Sequence, residues 1–249
     1  MRLTILTNKD AASALALHWL QPVFDSHDVS VFYTSKASRF HLSKRASKTN
    51  LTNNLASLAQ FEQSLRETDS ILSARGGTRL NDVNSAEGIA RIGASSPELV
   101  ISIRHMTILK PHVISLPTLG TLNLHSGLLP NYKGVMATFW SMLNGEKSIG
   151  TTLHFIEDES IDTGAILKTS KTPVDYQKSY FWNTLNLYKC GCENIVSTVK
   201  ALNHGQVLSS VRQTGNGNYF SFPKEEQVRK ADFTLFRPTD KLADFLNEG

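Results

Sequence analysis

The chain has 249 residues, of which 40% are hydrophobic and 19% charged, the range of an ordinary soluble globular protein. Its apolar runs fall short of the ~18 residues that a membrane helix needs. A net charge of +4 favours an anionic ligand but is too small to argue for nucleic acid. The N-terminus turns polar after one short run, unlike a secretory leader, so the expected location is the cytoplasm.

Arg2–Thr7 reads as a buried strand, Ala11–Phe24 as a helix and Asp28–Tyr33 as a second strand. This β-α-β opening predicts a parallel sheet with covering helices. The polar, basic stretch Lys36–Lys48 is either a solvated loop or a phosphate-binding segment. Leu51–Leu65 and Val83–Gly93 have helical spacing, and Glu98–Ile103 and Gly120–His125 are strand-like. Met136–Leu143 predicts a short helix, Thr151–Ile156 and Gly164–Thr169 predict strands around an acidic loop, and Ser179–Leu202 predicts one long helix. Gly205–Ser221 reads as strand and turn, and Asp240–Leu246 as a final helix. The expected fold is α/β, Rossmann-like, with a central, mostly parallel sheet and helices on both faces. Residues 1–204 would form the main domain, and 205–249 a short extension.

The only two cysteines, Cys190 and Cys192, read as reduced thiols in a helix. Without further cysteines or a nearby histidine cluster they predict no metal site. Three other residues stand out. Asn123 and His125 end one predicted strand, and Asp162 closes the acidic loop in Asp162-Thr163-Gly164. Ligands of open α/β sheets bind outside the carboxyl ends of the strands. An amide, an imidazole and a carboxylate placed there could move an acyl group to an amine. Two would donate to the oxyanion, and the third would orient the imidazole or take up the amine proton. His154, on the strand before the loop, reads as a packed core histidine, and the chain has no G-x-S-x-G nucleophile elbow.

Asn-x-His, then Leu-Pro-x-x-x-Gly, then His followed by Asp-Thr-Gly, all within about residues 97–170, resembles the folate-dependent formyltransferases. The resemblance implies catalytic roles for Asn123, His125 and Asp162 and 10-formyltetrahydrofolate as the co-substrate. It also implies a pterin slot between two segments. One is Arg104, His105, Met106, Thr107, Ile108 and Leu109; the other is Ile156, Glu157, Asp158 and Glu159. Arg104 and His105 depart from the small or apolar residues expected there, and either could instead meet an acceptor phosphate.

For the acceptor, the resemblance divides by subgroup. The segment after the first strand, Thr7–Ser13, lacks the glycines of a purine-pathway phosphate loop. The residues after the long helix are too few for the barrel of a methionyl-tRNA enzyme. The stand-alone enzymes that formylate a nucleotide-linked amino sugar, such as a dTDP-4-amino-4,6-dideoxyhexose, are the preferred match. Another small amine, methionyl-tRNA, hydrolysis of the folate and a non-catalytic folate- or nucleotide-binding protein stay open. Tyr219, Phe220 and Phe222 are expected to pack the tail rather than stack on a base. Trp182 and Tyr188 are expected in the core or at a homodimer contact.

Overall fold

The computed structural model describes residues 1–35, 66–237 and 239–247. The predicted helix Leu51–Leu65 and the basic stretch Lys36–Lys48 lie outside these residues. Seven strands form the central sheet in the order β3-β2-β1-β4-β5-β7-β8. These are β1 Arg2–Asn8, β2 Asp28–Thr34, β3 Thr78–Arg79, β4 Leu99–Ile103, β5 Thr121–His125, β7 Ser148–Phe155 and β8 Ile166–Pro173. The first five run parallel, and β7 and β8 are antiparallel additions. The short strands β6 (Lys133–Gly134) and β9 (Tyr219–Phe220) pair apart from this sheet. The fold is thus the expected mostly parallel α/β sheet.

The central strands are apolar on both faces because both are covered. Alternation then sorts their side chains. Leu3, Ile5, Leu99, Ile101, Leu122, Leu124 and Leu153 join one core, and Leu6, Phe32 and Val100 join another. The first core is closed by α1 (Ala11–Trp19), α7 (Tyr180–Asn186), α8 (Tyr188–Asn203) and α10 (Leu242–Leu246), the second by α4 (Ala86–Ala94) and α5 (Pro111–Ile114). Helical residues 66–74 (α3) add Leu72 to the first core.

Two predicted helices are divided. Pro22 cannot continue an α-helix, since it has no N–H to donate. The chain therefore breaks at Leu20, and α2 (Gln21–Ser26) starts with the proline in its first turn. The predicted Ser179–Leu202 helix starts on a Ser179 cap whose hydroxyl accepts from Trp182 N, then divides at Leu187 into α7 and α8. Tyr188 is fully buried there, and Trp182 packs on the same core beside Phe245. Of the predicted Gly205–Ser221 strand only β9 and a single bridge, Val211 to Ile166, are extended pairings.

The C-terminal residues are built into the body. Phe233 joins Tyr132, Phe139 and Trp140 in a third core, onto which Phe220 and Val228 of α9 (Glu225–Lys230) also pack. Phe220 stacks on Trp140 and Tyr132 at centroid distances of 5.0 and 5.4 Å. Its expected packing role is the one observed.

Ile101 is fully buried at the middle of β4. Ile101→Ala is expected to lower the unfolding free energy by about 2–5 kcal/mol, because a central strand cannot collapse onto the void. Urea titration of the two proteins measures it.

Candidate active site

The strand order turns back at β1, whose neighbours β2 and β4 leave in opposite directions. A crevice opens at such a switch point, outside the carboxyl ends of the strands. A cavity of about 610 Å³ lies there. Its lining comes from the chain following β1, β4 and β5, from the acidic loop and from the tail.

Asn123 and His125 are two residues apart on β5, so they share a face, while Leu122 and Leu124 fill the core on the other. The antiparallel pairing with β7 sets His154 directly opposite Asn123. The register of β7 against β8 then slips by one residue at Leu153/His154. Such an irregularity bends a strand and re-aims its side chains.

Asp162 reaches this pair from the loop. Its backbone takes the left-handed conformation at φ 54°, uncommon outside glycine and most tolerable for Asn and Asp. Its Oδ2 accepts from Gly134 N at 2.8 Å and lies 3.5 Å from His125 Nδ1. Its Oδ1 lies 3.4 Å from Asn123 Nδ2 and 3.5 Å from His154 Nε2. Burial alone would raise this carboxyl. The charge of the His125 ring, the contact with His154 and the Gly134 N–H outweigh it and hold the group at about 2.

Hydrogen bonds assign the two imidazoles. His154 Nδ1 is 2.7 Å from Phe155 O, so it carries a proton. Its Nε2 lies 3.1 Å from Asn123 Nδ2 and 3.5 Å from Asp162 Oδ1. This turns the buried histidine, expected merely to pack, into the group that orients the Asn123 amide. His125 Nε2 lies 2.6 Å from Tyr132 O and donates to it, leaving Nδ1 toward Asp162. Gly127 makes that bond possible. A Cβ on it would sit 2.6 Å from His125 Nε2 and 2.7 Å from Tyr132 O. The three catalytic candidates are therefore brought together, within contact of one another.

Of the residues expected along the pterin slot, Arg104, His105, Met106, Thr107, Ile108, Leu109, Ile156, Asp158 and Glu159 line the cavity. Glu157 does not line it, because its carboxylate accepts from Ala165 N at 3.3 Å and closes the base of the loop. Arg104 is committed to its own chain. Its Nε donates to Asp10 Oδ1 at 2.9 Å and its Nη1 to Tyr188 Oη at 3.3 Å. Asp10 also caps α1, accepting from Ser13 N. The helix terminus that could receive a phosphate is thus filled by a carboxylate of the protein. Lys9, beside it, pairs with Asp69 at 2.6 Å. Tyr219 and Phe222 line the cavity, while Phe220 is turned into the packing below.

Residues 5–182 match the model of the family described as formyl transferase. The chain belongs to the formyl transferase family. Among curated relatives, the methionyl-tRNA formyltransferase of Flavobacterium johnsoniae is 29% identical over 158 residues, covering 63% of this chain and 48% of that protein. The chain spans about half the length of the curated relatives that it matches. Among solved structures, a sugar N-formyltransferase from Shewanella superposes with a TM-score of 0.61 at 20% identity, covering 89% of this chain and 77% of that one. An N-formyltransferase from Helicobacter canadensis, solved with folinic acid and dTDP-3-aminofucose, gives 0.55 at 18% identity, covering 89% and 71%. These likenesses are likenesses of fold.

Among the described residues, no group of three or more His, Cys, Asp and Glu side chains could hold a metal ion, and no helix is long and apolar enough to cross a membrane.

Asp162 falls from a usual 3.8 to about 2 on folding. A depressed carboxyl stabilises the protein fully above about pH 5, and that stability is lost as the pH falls through the unfolded and then the folded value. Asp162→Asn lacks this contribution. The difference in unfolding free energy between wild type and variant should narrow by about 1 kcal/mol by about pH 3, measured by urea titration across pH.

Proposed function

We propose that the protein is an N-formyltransferase that moves the formyl group of 10-formyltetrahydrofolate to a primary amine. The observation that carries this reading is the convergence of Asn123, His125 and Asp162 at the end of β5, inside a cavity of about 610 Å³. That volume is in the usual range for small-molecule sites. The lining suits a flat heteroaromatic ring with polar edges. Met106, Ile108, Leu109 and Ile156 offer apolar contact, and Asp158–Asp162 offers a polar rim. The folinic acid in the Helicobacter canadensis enzyme supports a folate donor here.

Attack of a neutral amine on the formyl carbon creates an oxyanion and a nitrogen that must lose a proton. Collapse of the oxyanion then breaks the bond from the formyl carbon to the folate nitrogen, which takes up a proton as tetrahydrofolate leaves. Asn123 and His125 are the donors available to the oxyanion, each worth a few kcal/mol in the transition state. Their contacts with Asp162, at 3.4 and 3.5 Å, are long and can be exchanged for substrate. A carboxyl held at about 2 is a weak base at neutral pH. Asp162 therefore serves first to orient and charge-stabilise the His125 ring, and the amine proton leaves through water beside it.

For the acceptor we favour the amino group of a nucleotide-linked amino sugar. The sugar N-formyltransferases among the fold neighbours support it. So does the closure of the α1 terminus by Asp10 and Arg104, which takes that helix start out of use as an anion seat for a simple phosphate ester among the described residues. Methionyl-tRNA is the second reading, supported by the sequence relatives.

The test follows tetrahydrofolate release from 10-formyltetrahydrofolate with a panel of nucleotide-linked amino sugars and with methionyl-tRNA. Turnover with an amino sugar and none without an acceptor is the expected result; transfer to methionyl-tRNA alone would replace the acceptor. His125→Ala and Asp162→Asn are expected to lower kcat by about 10²-fold or more. Either variant keeping over a tenth of the wild-type rate would remove the residue from the mechanism.

A further inference from the structure

The left-handed turn at Asp162 is held from a distant part of the chain. Val211 and Ile166 exchange both backbone hydrogen bonds, 2.8 Å each, in an antiparallel bridge. Two residues further along each chain, in opposite directions, Gln213 comes to face Gly164. There the ladder stops and a side chain takes over. The Gln213 carboxamide Nε2 donates to Gly164 O and to Asp162 O, both at 2.9 Å. The two carbonyls fix which way the amide points, and Gln213 Oε1 is left buried without a hydrogen-bond partner. An unpaired buried acceptor costs about 1–3 kcal/mol, so the amide sits there against a local penalty.

Beyond Gln213 the chain anchors the other side of the same carboxylate. Gly217, at φ 59°, passes so close to Pro130 that a Cβ would lie 1.9 Å from its carbonyl oxygen. Asn218 O then accepts from Lys133 N at 2.9 Å, and Phe220 O accepts from Val135 N at 3.0 Å. Between these two bonds lies Gly134, whose N–H donates to Asp162 Oδ2. Residues 211–220 thus grip the Asp162 backbone with one side chain and, through Gly134, its carboxylate with a strand.

We propose that Gln213 is a positioning residue for the transfer reaction, its carboxamide holding the 162–164 backbone so that the Asp162 carboxylate meets His125 and Asn123. The proposal rests on the formyl-transfer reading above. Gln213 does not touch the reacting atoms; it acts through Asp162.

Two variants test it. Gln213→Met keeps length and bulk but has no donor, and Gln213→Glu sets acceptors against two carbonyls. Arg212→Ala, at the exposed neighbouring position, is the control. Both Gln213 variants should fold by circular dichroism. They should lose about tenfold or more in kcat, since a misplacement of about 1 Å at a catalytic group can cost about 10²-fold. The KM for 10-formyltetrahydrofolate should rise less than kcat falls, because the donor's apolar contacts at Met106, Ile108, Leu109 and Ile156 are untouched. The ring-nitrogen NMR signals of His125 should move in both variants and not in Arg212→Ala. Unchanged kcat, or unchanged His125 signals, in Gln213→Met overturns the proposal. If the wild type formylates no amine, the formyl-transfer reading fails instead. The His125 signals then still report whether Gln213 holds Asp162 in place.

Discussion

A carboxylate taken out of water must be surrounded by donors, and most of the site's construction answers that requirement at Asp162. A buried charge with too few partners would neutralise or pull the loop back to solvent. Here Gly134 N–H, the His125 ring and the Asn123 amide meet it, and each is fixed by a further contact. His125 is tied to Tyr132 O, Asn123 to His154, and His154 to Phe155 O. Loss of any tie would leave a polar group buried and unpaired, which is why such networks are rigid when complete. The cluster is organised before any substrate arrives, so only the long contacts to Asp162 need yield when an oxyanion forms.

The same economy governs the cleft's cations. Arg104, which the sequence alone would offer to a phosphate, and Lys9 beside the same helix start are matched by Asp10 and Asp69. The Asp10–Arg104 pair is largely enclosed and tied to Tyr188, so it acts as a fixed dipole in the wall more than as a free charge.

Much of this was legible in the sequence. Buried parallel strands announce themselves as short apolar runs, and β1, β2, β4 and β5 sit where those runs are. Asn123, His125 and Asp162 were picked out through the family resemblance of the segment that carries them, and the fold brings the three together. What escaped has a common cause: it depends on contacts between distant segments. Helical spacing continues through Leu187, and only the packing decides that the helix divides there. Gly127 looks like any loop glycine until its neighbours on three segments are known. Gln213 carries no local signature, since its partners lie about 50 residues upstream. Glu157 was assigned to the cleft with its acidic neighbours, yet its exposed side chain folds back across the loop onto Ala165 N instead.

The parallel pairing of β6 with β9 has a consequence for synthesis. The strands that build both main cores are complete once β8 has been made. Gln213 and β9, however, come later in the chain than every strand of the sheet. Until they leave the ribosome, the turn bearing Asp162 lacks its grip on the 162 and 164 carbonyls, and Gly134 lacks its partner strand. In chain order, therefore, the groups that set the Asp162 turn lie downstream of the whole sheet, and no stretch ending at β8 carries them.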